Sequence, residues 1–175
     1  MRKLLIFFLA VSACLLAQNN PLSSSIKMEY GMAKDVIIRS ADKVPEADYA
    51  FKPTDEVRSF GQLVGHVADA QYLFCSAAMG EKSPATDSVE KTKTAKADLV
   101  QALKDAFTYC DKAYDGMTDA TAPQMMKFFG RDVPKLGVLA FSNMHDYEHY
   151  GNMVTYMRLK KIVPPSSEPR PQQKK

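Results

Sequence analysis

The sequence PKLGVLAFSNMHDYEHYGNMVTYMRLK, at residues 134–160, contains two of the three histidines of the chain. The pattern predicts one long amphipathic helix with Pro134 in its first turn, where a missing N–H costs nothing. His145 and His149 lie four residues apart in this helix. That spacing places both imidazoles on one helix face, about one turn apart, where they can share a metal ion.

The residues between the two histidines distinguish this pair from a zinc protease motif. The HExxH helix of such proteases has a glutamate directly after the first histidine, and that glutamate is the general base. Here Asp146 stands in that position. The pair alone is therefore also compatible with two surface histidines or two core histidines.

Three further segments upstream carry a helical period. The first covers about residues 25–44, with one of three consecutive serines as its cap and Pro45 after its end. The second covers about residues 59–79, and Gly80 stands where a C-cap glycine is expected. The third covers about residues 96–117.

Four amphipathic helices of about 20 residues each predict an all-α domain, a four-helix bundle over residues 25–162. The intervening segments 46–57, 81–95 and 118–133 are interpreted as loops and linkers, because they contain proline and polar residues. The tail over residues 163–175 is rich in Pro, Ser, Gln and Lys, a composition that predicts disorder.

His66 lies in the second predicted helix, beside its apolar stripe. The chain has three histidines, and all three fall where side chains are expected to face the bundle. Burying three imidazoles without partners would cost on the order of several kcal/mol, whereas one ion satisfies them together. We therefore predict one divalent metal ion on His66, His145 and His149. Zinc is expected first, with nickel, iron and manganese as alternatives.

Three nitrogen ligands leave at least one coordination position open, which is typical of catalytic zinc sites. Asp69, one turn after His66, is a candidate catalytic base or orienting residue; the alternative is a solvated helix residue. Asn152 and Tyr156 continue the histidine face beyond His149 and are candidate pocket residues, with ordinary bundle packing as the alternative.

The first residues have the composition of an export signal. Arg2 and Lys3 precede an apolar run over residues 4–16, which is shorter than the about 20 residues of a membrane span. We predict a signal peptide over residues 1–17 and a periplasmic or extracellular mature protein. Two alternatives are a lipobox ending at Cys14, which would give a lipid anchor, and a retained N-terminal anchor helix.

The charge of the chain restricts its partners. The formal charge of +3 falls to +1 when Arg2 and Lys3 leave with the signal peptide. A balance so close to zero excludes the electrostatic footprint of a nucleic-acid or membrane-surface binder. The expected partner is a small molecule.

Two blocks of this sequence resemble the DinB family, also described as DinB/YfiT-like proteins. The first block is residues 51–69, which begins FKP and ends RSFGQLVGHVAD. The second is residues 145–152, HDYEHYGN, followed by YMRL at 156–159 and two prolines at 164–165. The resemblance covers about residues 25–165, nearly the whole mature chain.

This resemblance implies a four-helix bundle in up-down-down-up order, with a divalent metal on the matching His66, His145 and His149. Some members of the family are thiol-dependent S-transferases or isomerases, and one branch is regarded as metal-dependent hydrolases. An exported location departs from the cytosolic thiol-transferase pattern. Related bundles often pair, which leaves a homodimer open.

Cys75 and Cys110 are the cysteines that remain after removal of the leader. An even pair in an exported chain invites a disulfide. In the parallel order of helices two and three that the resemblance implies, the two residues lie nearly level. Two free buried thiols are the alternative.

The functional prediction is an exported, metal-dependent hydrolase of a small substrate that the sequence does not identify. One alternative is a non-catalytic bundle that binds a metal or a small ligand. Another is a thiol-dependent, S-transferase-like enzyme. A carboxylate near the open coordination position would favour hydrolysis, and a fourth protein ligand would favour a purely structural ion.

Overall fold

The computed structural model describes residues 20–169, so the predicted signal peptide and its lipobox residue Cys14 lie outside the described residues. Helices make up most of the described chain, and two short strands form a hairpin. The helices are α1 (Pro21–Lys43), α2 (Phe60–Met79), α3 (Val89–Thr92), α4 (Lys96–Gly116) and α5 (Lys135–Leu159). The strands are β1 (Met125–Phe128) and β2 (Arg131–Pro134), and 3₁₀ turns cover Glu46–Asp48 and Pro165–Ser167.

The four long helices pack around one apolar core. α1 contacts α4 and α5, and α2 contacts the same two helices. The all-α class predicted from the sequence is confirmed. None of the helices within residues 20–169 combines the length and the apolar composition that a membrane span requires. The core includes Ile37 of α1, Phe60 of α2, Phe107 of α4, and Leu139 and Met153 of α5.

Local sequence signals set both ends of α2, the helix that carries His66. Ser59 Oγ accepts the Gln62 N–H at 3.2 Å, and Gln62 Oε1 accepts the Ser59 N–H at 2.8 Å. This capping box satisfies two N–H groups that a first helical turn leaves free. Gly80 follows the helix with a φ of 74°, a left-handed conformation that glycine adopts without a Cβ penalty.

A disulfide between Cys75 and Cys110 joins α2 to α4, so the pairing that the sequence left open is present. The two Cα atoms lie 5.3 Å apart, and both residues are fully buried. Nearer the start of both helices, a Cβ on Gly61 would lie 3.2 Å from Leu99. α2 and α4 therefore run parallel, which brings the two cysteines level.

The first helix begins earlier than predicted. α1 starts at Pro21, and Ser23 lies inside its first turn instead of capping it. The Ser23 N–H and Oγ–H both donate to Asp119 Oδ1, at 2.8 and 2.9 Å. Asp119, in the segment that follows α4, thus accepts hydrogen bonds from two groups in the first turn of α1. A helix-start pattern cannot show such a distant partner.

Two segments predicted as linkers contain regular structure. α3 lies within residues 81–95, and the hairpin lies within and just after residues 118–133. Phe128 pairs with Arg131, so Phe129 and Gly130 form a two-residue turn. Pro134 ends β2 and precedes α5, and does not occupy the first helical turn. These elements are too short to carry a recognisable period.

The predicted disordered tail is packed as far as the structure describes it. Pro165 is buried in a 3₁₀ turn, and the Ser166 N–H donates to Tyr150 Oη at 3.0 Å. Glu168 forms ion pairs with Lys43 and Arg39 of α1. The prediction of disorder is therefore wrong for residues 163–169, because polar composition does not reveal these contacts with the bundle. Residues 170–175 lie outside the described part.

Candidate metal centre

Three histidine rings from α2 and α5 meet at one point. His66 Nε2 lies 3.2 Å from His145 Nε2, which lies 3.0 Å from His149 Nε2. The ligand nitrogens of the three residues all lie within 4.8 Å of one another. His149 is buried, with 6% of its surface exposed, and the other two rings are half-buried.

The spacing of these nitrogens fits a small divalent cation. Bonds of about 2.1 Å at a tetrahedral angle place two ligand nitrogens about 3.4 Å apart. The observed separations of 3.2 and 3.0 Å are slightly shorter than that. His145 Nε2 has one proton or one lone pair to offer its two neighbours, so hydrogen bonds alone do not satisfy the trio. A shared cation accepts all three lone pairs at once.

Glu90 contacts the His66 ring at Nδ1, the nitrogen that does not face His145. Glu90 Oε2 lies 3.2 Å from His66 Nδ1, and its other oxygen accepts the Arg58 Nε–H at 2.8 Å. A carboxylate on Nδ1 keeps the proton there and leaves the Nε2 lone pair for a metal. Hydrogen bonds of this kind orient metal-bound histidines and make them stronger ligands. The contact thus prepares His66 as a ligand.

Gly65 and Asp69 place Glu90 beside His66. A Cβ on Gly65 would lie 2.7 Å from the Glu90 Cα, so only glycine lets α3 approach α2 this closely. Asp69 accepts the Val89 N–H at 2.7 Å, the Glu90 N–H at 3.1 Å and the Ser88 hydroxyl at 2.6 Å. Asp69 therefore anchors the start of α3. Its proposed role as a base stays a prediction, and these hydrogen bonds already give it a positioning role.

Burial keeps the two histidines of α5 neutral. Burial, with the neighbouring His149 and His66 rings, lowers the pKa of His145 to about 3. Burial and the His66 ring lower the pKa of His149 to about 4. Neutral imidazoles are the form that binds a metal ion. Near pH 7 this site offers lone pairs without first having to lose protons.

Asp146, which occupies the place of the protease glutamate, faces the interior. Its side chain is fully buried, and Gln71 Nε2 donates to its Oδ1 at 2.6 Å. Burial raises the pKa of Asp146 well above its usual range. Asp146 therefore offers no solvent-facing base, which agrees with the absence of a zinc protease motif.

A polar cleft opens on one side of the histidines. It has a volume of about 680 Å³ and is lined by His149, Arg58, Glu148 and both predicted pocket residues, Asn152 and Tyr156. Tyr156 Oη–H donates to the backbone oxygen of Arg58 at 2.8 Å. Tyr156 therefore also holds the backbone of Arg58, which lines the same cleft. Asn152 is exposed, and its amide is accessible to a ligand in the cleft.

A second, apolar pocket borders His66 and His145. It has a volume of about 340 Å³, and the rings of His66 and His145 form part of its wall. Phe129, at the tip of the hairpin, has a φ of 48° and 67% of its surface exposed. A left-handed conformation costs a bulky residue about 1–3 kcal/mol. The remaining lining residues are Asp69, Ala70, Leu73, Phe74 and Phe141.

Comparison with known families gives a clear match. The DinB superfamily model matches residues 32–153, which is more than half of the chain. This chain belongs to the DinB superfamily. The resemblance inferred from the two histidine-containing blocks is confirmed.

Individual relatives of this DinB-superfamily chain share its fold. It is 27% identical over 143 residues to the uncharacterised protein YjoA of Bacillus subtilis, a match that covers 78% of this chain and 89% of YjoA. A YjoA crystal structure has a TM-score of 0.67 at 21% identity, covering 84% of this chain and 99% of that one. A DinB-like protein from Bacillus cereus has a TM-score of 0.71 at 16% identity, covering 81% and 95%.

A third structure is that of a mycothiol-dependent maleylpyruvate isomerase. Its TM-score is 0.57 at 16% identity, and the match covers 78% of this DinB-superfamily chain and 66% of the isomerase. At this identity the likeness shows a common fold. The reaction named for the isomerase is a statement about that protein.

The sequence pattern missed two residues that shape the centre of this DinB-superfamily chain. Glu90 lies in a segment interpreted as a linker, and Phe129 lies in one interpreted as irregular. Signals for both were present but weak. Ser88 is a helix-capping residue directly before Val89 and Glu90, and Phe129-Gly130 is a turn dipeptide with an unexpected aromatic residue.

Proposed function

We propose that this protein is an exported enzyme that carries one divalent metal ion on His66, His145 and His149 and hydrolyses a small substrate. The observation that carries the proposal is the convergence of three Nε2 atoms, with separations of 3.2 and 3.0 Å along the trio. Within residues 20–169, this ligand group contains three residues and no fourth. Three-ligand sites are typical of catalytic metals.

The chain's own residues prepare the site for a cation and a substrate. Glu90 holds the His66 proton on Nδ1, and burial keeps His145 and His149 neutral. A cation bound there supplies Lewis acidity and lowers the pKa of a coordinated water. Zinc is the first candidate, and nickel, iron and manganese suit the same nitrogen ligands.

The polar cleft is the proposed entry for the substrate. Arg58, Glu148 and Asn152 line it together with His149, so they can hydrogen-bond a polar group beside the metal position. The Glu148 carboxylate is exposed within this cleft and can accept a proton from a bound group. This arrangement favours hydrolysis over a closed structural site, because carboxylate and histidine face one solvent-accessible space.

Export is supported by the disulfide. Buried disulfides such as Cys75–Cys110 persist in oxidising compartments and are rare in the cytosol. Residues 1–17 supply the leader in this proposal. N-terminal sequencing and mass spectrometry of the protein from fractionated cells test it. A chain that starts at Gln18 supports simple secretion, and a lipidated Cys14 supports anchoring. An intact Met1 in the cytosolic fraction contradicts export.

A thiol-dependent transferase is the second candidate. Its support is the structural neighbour named as a mycothiol-dependent isomerase. The Cys75–Cys110 disulfide weighs against it, since it indicates a compartment where low-molecular-weight thiols are scarce. Thiol-dependent turnover by the metal-loaded protein, absent without added thiol, would favour this candidate over hydrolysis.

The decisive experiment compares metal content in two proteins. Wild type purified from its native compartment is analysed for zinc, nickel, iron and manganese beside the variant H66A/H145A/H149A. We expect about one equivalent in the wild type and a small fraction of that in the variant, which circular dichroism must show to be folded. Equal metal content contradicts the proposal.

A substrate panel then tests the reaction. Ester, amide and phosphoester probes are offered to the metal-loaded wild type and to the triple variant. Turnover that depends on both the ion and the histidines supports a hydrolase. Metal binding without turnover of any probe favours the non-catalytic alternative, a bundle that binds a metal or a small ligand.

A further inference from the structure

The tip of the hairpin combines two features that do not serve folding. Phe129 has a φ of 48° and Gly130 a φ of 76°, and they form a two-residue turn of the kind that favours asparagine followed by glycine. Phenylalanine fits this backbone poorly. Its ring is 67% exposed, so it gains little from burial. Phe129 is thus unfavourable for the turn, and most of its surface stays in contact with solvent.

The exposed ring belongs to an aromatic cluster beside the histidines. Phe129 lies 6.4 Å from Phe74 and 6.2 Å from Phe141, measured between ring centroids. Phe74 in turn lies 5.2 Å from the ring of His145, edge to face. An unbroken aromatic surface therefore leads from the hairpin tip to the candidate metal position.

An open pocket borders this aromatic surface. The pocket has a volume of about 340 Å³, and Leu73 lines it with 49% of its surface exposed. Its polar wall consists of the rings of His66 and His145 and of Asp69, whose carboxylate is engaged by α3. A volume near 300 Å³ is at the small end of ligand pockets. It suits one aromatic ring or branched alkyl group.

We propose that this pocket selects substrates with a small uncharged aromatic or branched apolar group next to the oxygen that meets the metal, and that Phe129 is the clamp for that group. The inference rests on the proposed function, because it assigns the substrate class of the same centre. The occupant is a small molecule because the two imidazoles open into the pocket.

The test uses two metal-directed probes that differ only in an apolar group. Benzohydroxamate and acetohydroxamate carry the same chelating head, and calorimetry measures their binding to the zinc-loaded protein. We expect benzohydroxamate to bind at least about tenfold more tightly, as burial of a ring implies. The variant F129N should reduce this ratio by about fivefold or more, and asparagine should leave the turn intact or more stable.

The controls separate this inference from the proposed function. M125N changes an exposed apolar residue of the same hairpin that does not line the pocket, and it should keep the wild-type ratio. Zinc bound by the three histidines, with an equal ratio in wild type and F129N, overturns the clamp and leaves the metal centre standing. Failure to bind zinc overturns both. A dimer that F129N dissociates assigns the ring to a second copy of the chain and also overturns the clamp.

Discussion

Glu90 Oε2 lies 3.2 Å from His66 Nδ1, and this contact joins the short helix α3 to the three-histidine centre. The carboxylate fixes the tautomer of a ligand that α2 supplies, while His145 and His149 come from α5. The metal affinity of the centre therefore depends on a residue outside the three-histidine group.

Replacing Glu90 tests this dependence. In E90Q the amide can still accept a hydrogen bond, but it lacks the charge that strengthens His66 as a ligand. In E90A the contact is lost. We expect metal affinity to fall about 10- to 100-fold in E90A and less in E90Q. Competition with a chromophoric zinc chelator measures it. E46Q, a change at an exposed glutamate in a 3₁₀ turn, is the control; a similar loss there would contradict a specific role for Glu90.

Gly65 gives a second prediction, because α3 lies directly on it. In G65A the new Cβ would be 2.7 Å from the Glu90 Cα and 2.8 Å from its nitrogen. α3 must move, so we expect both weaker metal binding and a loss of about 1–3 kcal/mol in the free energy of unfolding. Urea titration of the metal-free protein measures the second quantity.

Gly31 provides the matched control. Gly31 lies inside α1, and apart from the adjacent backbone of that helix a Cβ there meets no described heavy atom within 4 Å. G31A should be neutral or stabilising by up to about 1 kcal/mol, since alanine is the better helix former. If both alanine variants bind metal like wild type, the packing of α3 does not govern the centre.

The disulfide predicts a large redox effect on stability. Cys75 and Cys110 are 35 residues apart in sequence. Closing a loop of that size in the unfolded chain stabilises the folded state by about 4 kcal/mol in the chain-entropy model. C75A/C110A should therefore unfold at clearly lower urea concentration than the oxidised wild type. Dithiothreitol should destabilise the wild type and leave the variant unchanged. Equal unfolding midpoints for oxidised wild type and variant would contradict the prediction.

Buried tyrosines predict a loss of stability in alkali. Burial and the neighbouring Asp111 raise the pKa of Tyr30, and burial raises the pKa of Tyr114, whose ring stacks on Tyr30 with centroids 3.9 Å apart. The unfolded chain releases these protons near pH 10, whereas the folded protein keeps them. The free energy of unfolding should therefore hold below about pH 10 and fall above it.

Y30F separates this effect from ordinary hydrogen bonding. Tyr30 Oη lies 2.8 Å from the backbone oxygen of Phe107 and 2.9 Å from Asp111 Oδ1, and its hydroxyl donates to these acceptors. Its loss should cost about 1–2 kcal/mol near neutral pH and make the alkaline decline shallower. Urea unfolding from about pH 8 to about pH 11 measures both. An unchanged alkaline slope would assign the decline to other groups.

The sequence predicted the features that depend on short-range spacing. The His145–His149 spacing and the C-cap glycine Gly80 are local signals of this kind. His66 was linked to the other two histidines because the chain has only three. Glu90 could not be found in this way. Its contact with His66 spans 24 residues and requires the missing side chain of Gly65, which a polar linker composition does not reveal. The hairpin was not predicted because Phe129 stands at a turn position that usually carries asparagine, aspartate or glycine.

The three imidazoles also constrain when an ion can be acquired. His66 and His145 lie 79 residues apart in sequence, so an unfolded chain holds no such site. Under the export proposed above, the chain would cross the membrane unfolded and could bind an ion only after it has folded. Metal availability in that final compartment would then decide which element occupies the histidines.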